Sequence, residues 1–187
     1  MFATDDQVEV RVHGRGGQGT VTLAALMVDA AFRSGWNVLG FPAFGTERTG
    51  APVSAFVRLG RAPILDRGEI RHPNLVLVQD PTLVGAVDVL EGLADDGLVI
   101  LNSTRIPKEL LNVAVVAFPA TELALRYLGI PKTSTAMLGF VAGYTDLLTI
   151  DAACAAIADR FTGDVAERNI RLARAACSGF EAGRAVA

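Results

Sequence analysis

Residues 8–35 read VEVRVHGRGGQGTVTLAALMVDAAFRSG, and the parsing of this stretch decides the fold. Val8, Val10 and Val12 alternate with Glu9, Arg11 and His13, a period of two that specifies a β-strand over residues 8–13. Glycines then break the pattern at Gly14, Gly16, Gly17 and Gly19. From Thr20 the apolar residues return at helical spacing, and Gly35 ends the run. The order is strand, glycine loop, helix.

Further along the chain the same alternation recurs. WNVLGFPAF (36–44) and PVSAFVRLG (52–60) read as strands on either side of the loop GTERTGA (45–51). PNLVLVQD (73–80) is almost wholly apolar, as a strand covered on both faces must be, and GLVILNS (97–103) and NVAVVAFPA (112–120) repeat it. PTLVGAVDVLEGLA (81–94) is expected to be helical, with Pro81 in its first turn. Four more helices are expected over 121–129, 133–148, 151–161 and 164–183. No linker or repeat interrupts this order, so a single α/β domain over residues 1–187 is expected. Its architecture would be a three-layer sandwich around a mostly parallel or mixed sheet, Rossmann-like in outline.

Composition narrows the function classes. The 187 residues are 51% hydrophobic and 20% charged with a net charge of -3, which is no basic footprint for nucleic acid. No apolar run approaches the roughly 20 residues of a membrane span. Residues 1–7 carry acids in place of a basic leader, so a cytoplasmic location is expected. Cys154 and Cys177 sit far apart in Ala-rich helical stretches, without the spacing of a zinc or cluster site, and read as small buried hydrophobes. His13 and His72 have no mutual spacing suited to a site, and His13 reads as a satisfied strand-end histidine.

The glycine loop carries the strongest chemical signal. In a sheet of this class ligands bind beyond the carboxyl ends of the strands. Bare backbone N–H groups before a helix, together with the positive end of that helix, favour an anion such as phosphate. Arg15 is expected to add a bidentate fork and Gln18 an amide that reads a polar group. Gly14, Gly16 and Gly19 also match G-x-G-x-x-G, the dinucleotide fingerprint. That fingerprint calls for an acid at the end of the second strand, and Asn37–Pro42 supplies none.

The second informative stretch is FPAFGTERTGAPVSAFVR (41–58), where Glu47 and Arg48 stand together between glycines and aromatics. A solvated turn is the plainer role, and a recognition loop the functional one. Elsewhere, Asn102 and Ser103 are expected to cap a turn. One of Thr133, Ser134 and Thr135 is expected to be a helix N-cap. Met137, Leu138, Phe140 and Val141 read as core, while Gly139 and Gly143, four apart, permit close helix approach within the chain or to a subunit.

Taken together, GRGGQG, the loop in 41–58, QDPTLV, LNS, TSTAMLG and GDVAERNIRLARAACSGFEAG occur in this order along nearly the whole chain. The sequence thereby resembles the gamma subunit of 2-oxoacid:acceptor oxidoreductases, the pyruvate:ferredoxin oxidoreductase family, whose members act on pyruvate, 2-oxoglutarate, branched-chain or aryl oxoacids. The resemblance implies a subunit inactive alone, within an enzyme that decarboxylates a 2-oxoacid oxidatively to acyl-CoA and CO2. Thiamine diphosphate and iron–sulfur (4Fe–4S) clusters would lie in alpha, beta and delta-type partner subunits, and ferredoxin or another acceptor would take the electrons. Coenzyme A would meet this chain at Gly14, Arg15, Gly16, Gly17, Gln18 and Gly19. Phe44, Gly45, Thr46, Glu47, Arg48, Thr49 and Gly50 would line the approach to the active site or the seam with the catalytic subunits. Two other classes compete: a self-sufficient nucleotide-dependent oxidoreductase, and a binding or scaffold subunit without catalytic duty.

Overall fold

The computed structural model of the chain describes residues 2, 6–43 and 49–179. Strand β1 (Gln7–Arg15) runs through the first glycine of the loop before helix α1 (Thr20–Arg33) begins. The remaining elements are β2 (Asn37–Pro42), β3 (Pro52–Gly60), β4 (Leu75–Val78), β5 (Leu98–Asn102), β6 (Ala114–Phe118), α2 (Ala120–Leu128), α3 (Ser134–Tyr144), α4 (Ile150–Arg160) and α5 (Gly163–Ser178). The strands form one mixed sheet in the order β2-β3-β1-β4-β5-β6. β3 is antiparallel to both β1 and β2, whereas β1, β4, β5 and β6 run parallel. The α/β class with a mixed sheet is the expected one. No described helix is long and apolar enough to cross a membrane.

The alternation in β1 assigns the two faces. Val8, Val10 and Val12 are fully buried against Leu23, Leu26 and Met27 of α1 and the apolar residues of α3. All five helices share this core. On the opposite face Val76, Val78, Val99 and Leu101 are covered by Leu83, Val89 and Leu110, which stand on irregular chain and short 3-10 turns. The expected helix over 81–94 is therefore corrected: only Pro81–Leu83 coils, as one 3-10 turn. Asp80 and Asp88 each accept from the backbone N–H two residues on, an alternative to helical bonding, and Gly92 turns with φ +65°.

What fastens this helix-free layer is a buried polar row on β1 and β3. Arg11 donates to the carbonyls of Val89 (3.2 Å) and Glu91 (2.5 Å), and its Nε donates to His13 Nε2 at 3.0 Å. Arg58, 1% exposed, pairs with Glu9 at 2.6 Å and donates to the Gly68 carbonyl at 2.6 Å. Each guanidinium thus pins a loop onto the sheet. His13 lies within the strand instead of closing it, and its Nδ1 is 3.3 Å from Ser54 Oγ. Burial, reinforced by the Arg11 charge and only partly opposed by Asp88, lowers its pKa from 6.5 to about 4.

Helix α3 is apolar on all sides and sits in the core, and its glycines are used inside the chain. A methyl group on Gly139 would stand 2.1 Å from the Ala173 carbonyl oxygen of α5, and one on Gly143 would stand 2.5 Å from that of Cys177.

Two outcomes follow for stability. Gly139→Ala forces α3 away from α5 at a cost of about 1–3 kcal/mol, lowering Tm by several degrees in a thermal melt. Because folded His13 stays neutral to about pH 4 while the unfolded chain takes up its proton near 6.5, protons favour unfolding across that window. The urea midpoint should fall between pH 6.5 and 4, and His13→Gln, which retains an acceptor for Arg11, should flatten that slope.

Candidate functional site

The carboxyl ends of β1, β4 and β5 come together at one edge, and the turn between β1 and α1 forms its centre. Gly14 has no room for a side chain, since a methyl group there would sit 2.2 Å from Thr20 Oγ1. Gly19 precedes α1 with φ +90°, a left-handed conformation that glycine adopts freely, and lies under Ser134, whose Oγ donates to its carbonyl at 3.0 Å. Antiparallel β3 starts at this same edge. The Gly16 N–H consequently reaches the Ala51 carbonyl at 2.9 Å, and the Gly50 N–H reaches the Gly16 carbonyl at 3.1 Å.

Of the second loop, Thr49 and Gly50 are thus seated on the glycine turn. Phe44, Gly45, Thr46, Glu47 and Arg48 lie outside the described residues, and the Glu47–Arg48 pair with them.

Arg15 and Gln18 do something other than the sequence led us to expect. The Arg15 guanidinium is turned to Asp80 (3.2 Å), to Thr82 Oγ1 (2.7 Å from Nη2) and to the Gly50 carbonyl (3.0 Å). Gln18 folds back over the turn, accepting from the Arg15 N–H at 2.9 Å and donating to Asp80 at 2.7 Å. Both side chains hold the loop in shape and neither projects free toward a ligand, because the Asp80 carboxylate offers them a partner close by. Burial acts to raise the Asp80 carboxyl, but hydrogen bonds from Thr82 and Gln18 and the Arg15 charge together hold it below the ordinary carboxylate range.

The groups left for a ligand are backbone N–H donors. Among the described residues α1 has no side-chain cap, and its first internal bond is made by Leu23 to Gly19. The N–H groups of Thr20, Val21 and Thr22 therefore stay unspent at the positive end of a helix of 14 residues. They open into a pocket of about 590 Å³, where Lys132 reaches over the turn to donate to the Gly17 carbonyl. Leu128, Ile130, Phe161 and Val165 give the pocket an apolar wall, and Arg168 and Asn169 a polar one. Beneath the loop Thr20 Oγ1 and Gln79 Oε1 are buried without a hydrogen-bond partner among the described residues. Buried polar atoms left in this way cost about 1–3 kcal/mol each and single out this turn as functional ground.

The neighbouring hydroxyls complete the frame. Thr133 is the N-cap of α3, one of the three residues expected there, but its side chain makes no capping hydrogen bond. Thr133 accepts from Gln79, Ser134 bonds the Gly19 carbonyl, and Thr135 donates to Asn169 at 2.8 Å, so α3, α5 and the loop are tied together. Ser103 caps the turn that follows it, accepting from the Arg105 N–H, whereas Asn102 accepts from the Thr121 N–H in the distant first turn of α2. Lys132, Asp80 and Thr82 were missed as site residues. For Asp80 the signal was its place as the first charged residue after an all-apolar strand.

No group of three or more His, Cys, Asp or Glu is gathered among the described residues, and burial raises the thiol pKa of both Cys154 and Cys177. In a dinucleotide domain the second strand lies beside the first and brings the ribose-binding acid to it. Here β3 stands between β1 and β2, so that contact has no counterpart.

Comparison with known proteins agrees with this geometry. Residues 9–179 match the family model of pyruvate ferredoxin/flavodoxin oxidoreductase. The chain is 47% identical over 177 residues to the common gamma subunit of the pyruvate/ketoisovalerate oxidoreductases of Pyrococcus furiosus, covering 90% of this chain and 95% of that one. It is 44% identical over 174 residues to pyruvate synthase subunit PorC of Methanothermobacter thermautotrophicus, with 93% and 96% covered. The crystal structure of pyruvate oxidoreductase subunit PORC from Thermotoga maritima superposes with a TM-score of 0.80 at 30% identity, covering 93% of this chain and 97% of that one. The fold also occurs in the 2-oxoglutarate:ferredoxin oxidoreductase of Magnetococcus marinus, with a TM-score of 0.78 at 15% identity, 95% of this chain matching 32% of that one. A glycine turn held by Asp80, on a mixed sheet of this order, thus occurs in a chain that belongs to the pyruvate ferredoxin/flavodoxin oxidoreductase family, as its gamma subunit.

Proposed function

We propose that this gamma subunit binds the phosphate-bearing part of coenzyme A at the start of α1, within an assembly that oxidises a 2-oxoacid to acyl-CoA and CO2. The observation that carries the reading is the uncapped N-terminus of α1, opening beside Lys132 into a pocket with an apolar wall. A pyrophosphate suits such a place: its charge is spread over several oxygens, and each free N–H reaches one of them without a proton being transferred. The Magnetococcus marinus enzyme, which shares the fold, has a solved structure with 2-oxoglutarate, coenzyme A and succinyl-CoA bound, and this supports the choice of ligand.

Within this reading residues 1–187 act as one gamma-type domain in the cytoplasm. Gly14, Gly16, Gly17 and Gly19 give the backbone its close approach, Arg15 and Gln18 hold the turn, and Phe44–Gly50 serve the approach to the active site or the seam with the catalytic subunits. Thiamine diphosphate and the iron–sulfur clusters, held by alpha, beta and delta-type partners, would supply the decarboxylation and the electron path to ferredoxin or another acceptor. What this chain does is orient coenzyme A and complete the assembly, and it is inactive alone.

The test is recovery of the native complex through a tag on this chain, followed by dye-linked oxidation of a panel of 2-oxoacids with and without coenzyme A. Lys132→Ala should raise the KM for coenzyme A about tenfold or more, since a hydrogen bond to a charged group is worth about 1.5–3 kcal/mol, and leave the KM for the oxoacid unchanged. An unchanged coenzyme A KM, or turnover by the isolated chain, would overturn the reading.

A further inference from the structure

Helix α1 carries apolar residues on its outward side as well as on the side it buries. Leu23, Leu26, Met27, Ala30 and Ala31 face the core. Val21, Ala25, Val28 and Phe32 follow one another at the alternating four- and three-residue spacing of a coiled-coil seam, and at about 100° per residue they fall within an arc of about 60°. Ala25 is exposed, Val28 is half-buried, and Val21 and Phe32 are 38% and 66% exposed. A surface helix ordinarily turns its polar residues outward. Here Asp29 and Arg33 lie to one side of the stripe, where Arg33 pairs with Asp29 at 2.9 Å and with Asp159 of α4.

On the other side of the stripe lies β2, at the edge of the sheet. Edge strands are normally guarded by charged side chains, proline or a bulge. Asn37–Pro42 reads NVLGFP, without a charge, and its proline comes last. Val38, Gly40 and Pro42 share the face that α1 covers, since they pair with Leu59, Val57 and Ala55 of that core. Gly40 is exposed, and a methyl group built on it would stand 2.4 Å from Val28 Cγ2, so the helix rests directly on the edge strand.

We propose that a second copy of this chain docks on the α1 and β2 face about a twofold axis beside Gly40, with β2 paired antiparallel to its counterpart and the two α1 helices packed together. Symmetry selects this occupant. A twofold contact is centred on every element that it uses. The stripe has its midpoint between Ala25 and Val28, and β2 has its midpoint between Leu39 and Gly40. Because Val28 rests on Gly40, the two midpoints stand at the same height to within about 4 Å, and one axis serves both. That axis sets Phe32 against Val21 of the second copy and Val28 against its Ala25, large beside small. A different subunit would require no such coincidence, and the charges flanking the stripe, already paired within the chain, offer it no ionic register. The shared strip is only about 20 Å long, at the small end of specific interfaces, so the contact belongs to the assembled complex, which must hold this subunit in pairs.

The experiment places a cysteine at Ala25 and treats the native complex, recovered through a tag on this chain, with a short bismaleimide. Packed helix axes lie about 8–10 Å apart, which brings the two thiols within its span. Ala25→Cys should give a product of twice the chain's 19.6 kDa that the unsubstituted chain, with Cys154 buried and Cys177 half-buried, does not give. Adding Phe32→Glu, which would press an unpaired carboxylate into the seam, should cut that yield about tenfold or more. Since Phe32 is mostly exposed, circular dichroism and Tm should stay as they are without the substitution. A product joining this chain to a different subunit, the absence of a double-mass product, or a yield that Phe32→Glu leaves unchanged overturns the second copy as occupant.

Discussion

The Asp80 carboxylate is the point on which the ligand edge depends. It stands just past the end of β4 and receives the Gln18 amide, the Thr82 N–H and hydroxyl, and the Arg15 guanidinium. These contacts join the β1–α1 turn to the chain leaving β4, and through the Arg15 bond to Gly50 they include the start of β3. A flexible glycine loop would have to be ordered by its ligand at the ligand's expense, at about 1–2 kcal/mol per residue. Here the ordering is done by the fold, with a carboxylate and two side chains.

This use of Asp80 explains why the site's electrostatics rest on the backbone. Arg15 and Gln18 spend their donors within the protein, so the groups left to meet the proposed anion are the first turn of α1 and Lys132. The sheet makes a similar choice on its second face. Where a Rossmann domain has helices, irregular chain is fastened by Arg11 and Arg58 through carbonyl oxygens and Glu9. Buried guanidinium groups are tolerated there because nearly every donor has a partner, whereas removing either one would strand carbonyls and a carboxylate in the interior. The glycine fingerprint survives on this sheet although the insertion of β3 removes the dinucleotide arrangement around it. A motif describes the turn, and the neighbouring strands decide what the turn can hold.

Much of the fold was legible because the signals were local. The alternation of Val8, Val10 and Val12, the all-apolar Leu75–Val78, the apolar run of Leu98, Val99, Ile100 and Leu101, and the glycine after α1 each report their own environment. The segment 81–94 was misread because Asp80 and Asp88 drew backbone N–H groups away from a helix that the apolar spacing alone would support. At the site, the turn itself was legible in the glycines. The tasks of Arg15 and Gln18 were not, because they depend on Asp80, which is 65 and 62 positions away by their numbering and adjacent only through sheet pairing. Thr133 is the N-cap in position, as its sequence suggests, whereas the ties that its hydroxyl and those of Ser134 and Thr135 make to Gln79, the loop and α5 depend on residues far away in the chain.

The division of labour between the two kinds of cation follows the same logic. A guanidinium presents a planar fork of donors and is best used where several fixed acceptors surround it, as Val89 and Glu91 surround Arg11, or Glu9, Asp66 and Gly68 surround Arg58. An ammonium is a compact charge on a flexible stem, able to follow an incoming phosphate without a fixed set of partners. Arg11, Arg15 and Arg58 build the frame, and both lysines stand at cavity mouths. The exchange would fail at Arg58, where a lysine could not satisfy three acceptors spread over two segments.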